Sequence, residues 1–319
     1  MKIIPRYDED FFNCVESHYV SYWKAEGIPV EYMFYGALED TGNVYEHFIA
    51  KRDNRWLFHD KKHVLDDIHH FGLTLRQERI ETFQEAEPKI IEALDEGKIV
   101  FFFIDGYYFK HRTFTYLQKH EPHCMMISQL SHEGGKKWFI QDHSQPDFFD
   151  YYPHETVEKA YDDNPTEQFV KEIMIFDIDR ERAANPELDQ IQAKFELWVH
   201  ECRDDFKIYQ QTIDFLEANR EDISKVEEEL EAYQNAFFFL YSSRLLFSRF
   251  LDVMNVETSI RESLNESIQL TDRIRKLITN YKILGKISVP KITEACGKLY
   301  EIEPKMIQTL KEELLAQKI

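Results

Sequence analysis

Residues 123–143 read HCMMISQLSHEGGKKWFIQDH, two apolar runs joined by a polar segment with adjacent glycines. The apolar runs suit strands and Gly134-Gly135 suits a turn, so the segment reads as a β-hairpin. A turn centred between His132 and Glu133 sets Ile127 opposite Trp138, Met125 opposite Ile140 and His123 opposite Asp142. Apolar partners then share one face, which is what fixes register in a half-buried hairpin. Directly opposed residues bring their Cβ atoms to about 5 Å, so Asp142 can bond one imidazole nitrogen of His123 and leave the other for a thiol. The hairpin therefore offers a base and the group that orients it, with an ordinary ion pair at a sheet end as the alternative.

The thiol is offered near the start of the chain. Residues 13–27, NCVESHYVSYWKAEG, place Val15, Tyr19, Tyr22 and Trp23 on one helical face, with Asn13 as N-cap and Gly27 as the C-terminal stop. Cys14 then falls in the first turn, where free N–H groups and the positive end of the helix dipole favour a thiolate. A thiolate is the attacking species in acyl transfer, although a cysteine packed as a small hydrophobe fits the same position. Cys124, Cys202 and Cys296 lack that setting and read as core or incidental residues. Residues 98–109, KIVFFFIDGYYF, contain a buried strand whose end brings Asp105, Tyr107 and Tyr108 towards the cleft as candidate substrate-binding residues. For the two tyrosines, packing and hydrogen bonding at a rim is the competing role.

Composition narrows the functional classes. The 319 residues are 43% hydrophobic with 25 Phe and 17 Tyr against 10 Gly and 10 Pro, which describes a globular chain with a substantial core. The N-terminus turns acidic before any apolar stretch long enough for a signal peptide, and no later segment offers an apolar run long enough to span a bilayer. Four widely spaced cysteines without a CxxC pair fit reduced thiols, so a cytoplasmic location is expected. A formal net charge of −20 disfavours nucleic acid and anionic membrane surfaces as partners.

Up to about residue 178 short apolar strands mix with helices; after the polar stretch Asp177 to Pro186 the sequence is helical almost to its end. Two domains are expected, 1–178 and 186–319. In the second, Leu188 to Leu216 and Ile223 to Val253 show three- and four-residue apolar spacing, and further helices run from Val256 to Leu284 and from Pro290 onward. The last is expected to break at Glu303-Pro304, because proline suits a first turn.

Taken in order, NCVESHYVSYWKAEGI, EYMFYGALE, KIVFFFIDGYYF, PHCMMISQL, WFIQDHS and a segment ending EKAY resemble the N-terminal domain of the butirosin biosynthesis protein H-like family over about residues 10 to 175. Members of that family look like papain-fold cysteine acyltransferases. The resemblance implies an α+β fold: a papain-like cysteine-protease-type catalytic domain followed by an all-α helical bundle, to which YSSRLLFSRFLD also bears some likeness. It implies a catalytic triad of Cys14, His123 and Asp142. The triad would move an acyl group from a phosphopantetheine thioester, on an acyl carrier protein or peptidyl carrier domain, to a small amine acceptor in antibiotic or nonribosomal-peptide biosynthesis. No bound cofactor and no metal are implied. Papain-like enzymes commonly place a glutamine as oxyanion donor six residues before the cysteine; here that position is Asp8, which with Asn13 is a candidate for the substrate side. An ionised Asp8 cannot donate, so the oxyanion falls to the Cys14 N–H and another group.

Other features carry less. HDKKHVLDDIHH sets His59 and His63 four apart, with Asp66, His69 and His70 following, but no second ligand segment accompanies them and a solvated face fits better than a metal site. Arg273, Arg275, Lys276, Lys282 and Lys286 offer positive surface to an acidic carrier protein, or pair with neighbouring Glu. No GxGxxG, GxxxxGK[ST], GxSxG or HExxH motif occurs. Two alternatives to the transferase follow: a peptidase or amidase using the same triad, and a non-catalytic interaction protein with an unreactive Cys14.

Overall fold

The computed structural model describes residues 2–7, 13–53, 58, 65–144, 146–163 and 171–316. In chain order its main elements are α1 (Cys14–Ala25), α2 (Thr41–Tyr45), β1 (Leu73–Arg79), α3 (Phe83–Asp95), β2 (Val100–Asp105), β3 (Pro122–Ser131), β4 (Lys137–Asp142), β5 (Phe148–Pro153), α4 (His154–Asp162) and β6 (Glu172–Ile178). Helices follow: α5 (Arg180–Ala184), α6 (Leu188–Glu201), α7 (Lys207–Ala218), α8 (Glu227–Val253), α9 (Thr258–Leu284) and α10 (Val289–Ala316). The fold is mixed α/β, an antiparallel sheet succeeded by a helical region. It separates into two compact units, Met1–Val30 with Ile68–Pro186, and Glu31–Asp67 with Glu187–Ile319.

The first unit is built on a six-stranded sheet of order β1-β6-β2-β3-β4-β5, antiparallel throughout. Its centre is the run VFFFID of β2, apolar and almost wholly buried, whereas β1 exposes most of its side chains as an edge strand does. Phe83, Ile90, Val157 and Tyr161 from α3 and α4 cover one face, over Phe102, Met125, Ile127 and Ile140. Helix α1 lies against the alternate residues, with Tyr22 5.8 Å from Phe101 and Trp23 4.9 Å from Phe176 between ring centroids. Ser17 through Trp23 are buried in succession, which makes α1 an internal helix rather than a one-sided amphipathic one. Its start is fixed by Asn13, whose Oδ1 accepts the Glu16 N–H at 2.9 Å.

The hairpin of β3 and β4 forms, but its register differs from that expected. Ile127 pairs with Ile140, and beyond a bulge at Ser128, Leu130 pairs with Trp138 and Ser131 with Lys137. The reversal sits at Gly134 (φ +67) and Gly135 (φ +115), later than the expected centre, because these residues alone in the segment take positive φ without a steric cost. Before the bulge the displacement is two residues, which keeps the side chains from His123 to Ile127 on their faces. Carried one pair further, the register sets Asp142 beside Met125, with His123 as its diagonal neighbour. The bulge has its own partner: the buried Gln141 amide donates to Ser128 Oγ at 2.7 Å and to the Lys2 carbonyl at 2.8 Å. Its carbonyl oxygen accepts the Ile4 N–H at 2.7 Å, tying the N-terminal segment to the sheet.

In the second unit, α6 to α10 gather around a buried ion pair. Arg244 of α8 holds Glu303 of α10 through Nε–Oε1 at 2.9 Å and Nη2–Oε2 at 3.0 Å. Tyr209 of α7 and Ser267 of α9 each donate a hydroxyl to Glu303 at 2.5 Å. Residues 31–67, which sequence reading left with the N-terminal half, join this unit through Arg244 Nη1 to the Glu39 carbonyl at 2.9 Å and Thr41 Oγ1 to Asp204 at 2.6 Å. The expected break at Glu303-Pro304 is absent, and α10 runs through Pro304. The carbonyl that Pro304 cannot bond belongs to Tyr300, whose side chain is 49% exposed, while Glu303 is anchored by four buried hydrogen bonds. Among the described residues no helix is long and apolar enough to cross a membrane.

Candidate active site

Cys14 opens α1, half-buried, with its thiol hydrogen-bonded to the His123 imidazole and facing the Cys124 backbone N–H. Burial is the strongest influence on this thiol and opposes ionisation; the His123 charge, its hydrogen bond and the Cys124 N–H outweigh it, and the pKa lies below its ordinary value. Cys124 differs: burial first, then the charges of Cys14 and Asp142, push its thiol well up. Burial likewise raises Cys296.

His123 stands near the start of β3, only 4% exposed. Its Nε2 lies 2.8 Å from Asp142 Oδ2, which leaves Nδ1 for the thiol. Burial disfavours the imidazolium, yet Asp142 and the Cys14 thiolate together prevail and the pKa is pushed up to about 9.

Asp142 ends β4 and is fully buried. Its Oδ1 accepts the Ser144 N–H at 2.8 Å and its Oδ2 also meets His111 Nε2 at 3.0 Å. The Arg112 guanidinium stands 3.8 Å away. Burial alone would raise this carboxyl; His123, then His111 and His18, hold it well below the usual carboxylate range.

Burial shifts three further imidazoles around Asp142, those of His111, His18 and His143, towards the neutral form. Tyr152 OH lies 2.9 Å from His111 Nδ1, so Nε2 is the nitrogen that donates to Asp142, and the ring stacks on Phe148 at 4.2 Å. Burial depresses the His111 pKa more than Asp142 raises it. His18, one turn after Cys14 on α1, accepts the His143 N–H on Nε2 at 3.0 Å, and burial followed by the His123 charge outweighs Asp142 to keep it neutral. His143 bonds the Ile4 carbonyl through Nε2 at 3.0 Å and is held at about 4, burial again foremost. One imidazole of the cluster, that of His123, thus carries the charge, and the others donate to or pack around its carboxylate. A thiol, an imidazole and a carboxylate stand in contact, an arrangement able to support covalent acyl transfer through sulfur.

Of the other sequence candidates, Asn13 spends its side chain capping α1. Asp105 is fully buried and bound by His120, Tyr107 stacks on that imidazole, and Tyr108 donates to Asp163 at 3.2 Å. Asp8, His59 and His63 lie outside the described residues. Among the described residues no group of His, Cys, Asp and Glu is placed to hold a metal. On α9, Arg273, Arg275, Lys276 and Lys282 each meet a carboxylate, at 3.8, 2.6, 2.5 and 3.1 Å. Sequence reasoning missed His18, His111, His120 and His143. His18 was legible as the helical neighbour four residues after Cys14, whereas His111 and His120 sit in loops with no pattern to mark them.

No family model matches the chain. It is 22% identical over 310 residues to the ribostamycin:4-(gamma-L-glutamylamino)-(S)-2-hydroxybutanoyl-[BtrI acyl-carrier protein] 4-(gamma-L-glutamylamino)-(S)-2-hydroxybutanoate transferase of Niallia circulans, covering 97% of this chain and 98% of that protein.

Proposed function

We propose that the chain is a cysteine-dependent acyltransferase that takes an acyl group from an acyl-carrier-protein thioester and passes it to an amine, in the biosynthesis of an antibiotic-like product. The observation that carries this reading is the extent of the likeness to the ribostamycin-directed transferase, which spans 97% of the chain and therefore both compact units. The reading is supported in the first unit by an internal helix bearing Cys14 set against an antiparallel sheet bearing His123 and Asp142, as a papain-like catalyst would require.

In the proposed reaction the Cys14 thiolate attacks the thioester carbonyl and the C–S bond to pantetheine breaks. The leaving thiolate takes its proton from His123 Nδ1. The Cys14 N–H, in the first turn of α1 where the helix itself supplies no acceptor, is one donor to the oxyanion. An amine then attacks the acyl-enzyme, His123 accepts a proton from it, and Cys14 departs as the thiolate. Asp142 holds the imidazole with Nδ1 towards sulfur throughout.

Steady-state kinetics with the 4-(gamma-L-glutamylamino)-(S)-2-hydroxybutanoyl thioester of a carrier protein and ribostamycin test this. Parallel double-reciprocal lines and an absolute need for the amine are expected. Thioester hydrolysis at an undiminished rate without amine, or cleavage of peptides instead, would point to a hydrolase and overturn the proposal.

A further inference from the structure

The segment 106–121 joins β2 to β3 and ends two residues before His123. Its inner side belongs to the site. His111 Nε2 lies 3.0 Å and Arg112 Nη1 3.8 Å from Asp142 Oδ2. That oxygen stands 2.8 Å from His123 Nε2, and His123 is hydrogen-bonded to the Cys14 thiol. The segment is also folded on itself: buried Thr115 donates its hydroxyl to the Gly106 carbonyl at 3.1 Å, and the Leu117 N–H reaches the Tyr107 carbonyl at 3.0 Å. The N–H groups of Gln118 and Lys119 return to the Thr115 carbonyl at 2.9 and 3.1 Å.

Its outer side presents apolar surface to water. Phe114 is 86% exposed and Leu117 57%, although the loop that carries them is held by the bonds above. Leu117 takes φ +54, a left-handed conformation costly for a residue with a β-carbon, and its exposed side chain recovers little of that cost by packing. The charge around them has one sign: residues 106–120 carry Lys110, Arg112 and Lys119 and no carboxylate, in a chain of net charge −20. Lys119 meets Glu121 at 3.4 Å, whereas exposed Lys110 meets no carboxylate among the described residues. On α9, by contrast, Arg273, Arg275, Lys276 and Lys282 are each paired. Exposed apolar anchors within a cationic rim suit an acidic protein partner, which the rest of so acidic a chain repels.

We infer that the segment 106–121 is the surface on which the acyl carrier protein docks; the inference rests on the transferase reading. Phe114 and Leu117 meet an apolar patch of the carrier, and Lys110 and Lys119 meet its carboxylates. Phe114 stands three residues from His111, at most about 10 Å of chain, so a carrier seated there delivers its thioester from beside Asp142 and His123. Ile283, Leu284 and Lys286, between α9 and α10, offer another exposed apolar and basic surface in the second unit. The segment 106–121 is favoured over it because its own side chains touch Asp142.

The test compares two donors of the same acyl group on the full chain, the thioester of a carrier protein and the thioester of free pantetheine, with acylation of Cys14 read by intact mass. In Phe114→Asp, and in the double variant Lys110→Glu with Lys119→Glu, the rate at limiting carrier thioester is expected to fall at least about 10-fold. The rate with free pantetheine thioester is expected to stay within about 2-fold of wild type, which also shows that the variants are folded. Added salt is expected to erode the wild-type preference for the carrier-bound donor. An unchanged carrier rate, including the case in which Phe114→Asp only dissociates a dimer of this chain, overturns the inference. So does equal loss with both donors, or a selective loss of the carrier rate produced instead by Ile283→Asp with Lys286→Glu. If neither donor acylates Cys14 of wild type, the transferase reading itself fails, a result distinct from acylation indifferent to the segment.

Discussion

Replacing Asp142 by Asn removes a charge with little change of shape, and its effect on Cys14 follows from the site. The rise of His123 from 6.5 to about 9 corresponds to roughly 3 kcal/mol in favour of the imidazolium. Asp142 and Cys14 share that gain, and Asp142 is the larger contributor in both charge and hydrogen bonding. At least half is lost in Asp142→Asn, so the imidazolium is weakened by more than about 10-fold. Burial, now opposed by Cys14 alone, drives His123 towards the neutral form, and the Cys14 thiolate loses the charge that lowered its own pKa. Iodoacetamide alkylation of Cys14, followed by mass spectrometry against pH, reads this directly. Wild type is expected to react fast from below the ordinary thiol range up to about pH 9. Asp142→Asn is expected to react at least about 10-fold more slowly at pH 7, with its reactive limb displaced to alkaline pH. Half-buried Cys202 serves as the internal control. A mutant profile that superimposes on wild type would refute the assignment of Asp142 as the group that charges His123.

Two further outcomes concern stability. His143 is held at about 4, so between pH 6.5 and about 4 the unfolded chain binds a proton that the folded chain does not. Stability then falls as pH drops through that window and levels off below it, by on the order of 3 kcal/mol. His143→Gln, still able to donate to the Ile4 carbonyl, is expected to flatten that dependence in urea titrations; an unchanged slope contradicts the account. In the helical unit, Glu303→Leu leaves Arg244 charged and buried without its bidentate partner and is expected to cost about 3–5 kcal/mol, part of which returns when Arg244→Met is added. A single mutant within about 0.5 kcal/mol of wild type would mean that the pair holds nothing.

The parts of the fold written in local pattern were legible: the helix at Cys14 with its Asn13 cap, the apolar run of β2, the hairpin and the helical second half. The register was read with its turn too early because the positive φ angles fall at Gly134 and Gly135, and because a bulge at Ser128 leaves no mark in hydrophobic alternation. His123 and Asp142 nevertheless stay on one face, since the displacement is even. Residues 31–67 were grouped by chain order, yet their hydrogen bonds run to Asp204, Ser243 and Arg244, more than 150 positions away. Long-range polar contacts of this kind carry no periodicity. The same holds for His111 and His120: a loop histidine acquires its meaning from the carboxylate that the sheet brings to it.

In the proposed reaction the acyl group passes through the Cys14 sulfur. Brief incubation with the 4-(gamma-L-glutamylamino)-(S)-2-hydroxybutanoyl thioester of pantetheine, followed by intact-mass and peptide analysis, tests it most directly. A single added acyl group located on Cys14, absent from Cys14→Ala and discharged as an amide when an amine is added, is the expected result. Undiminished product formation by Cys14→Ala, or acylation of another residue in its place, would contradict it.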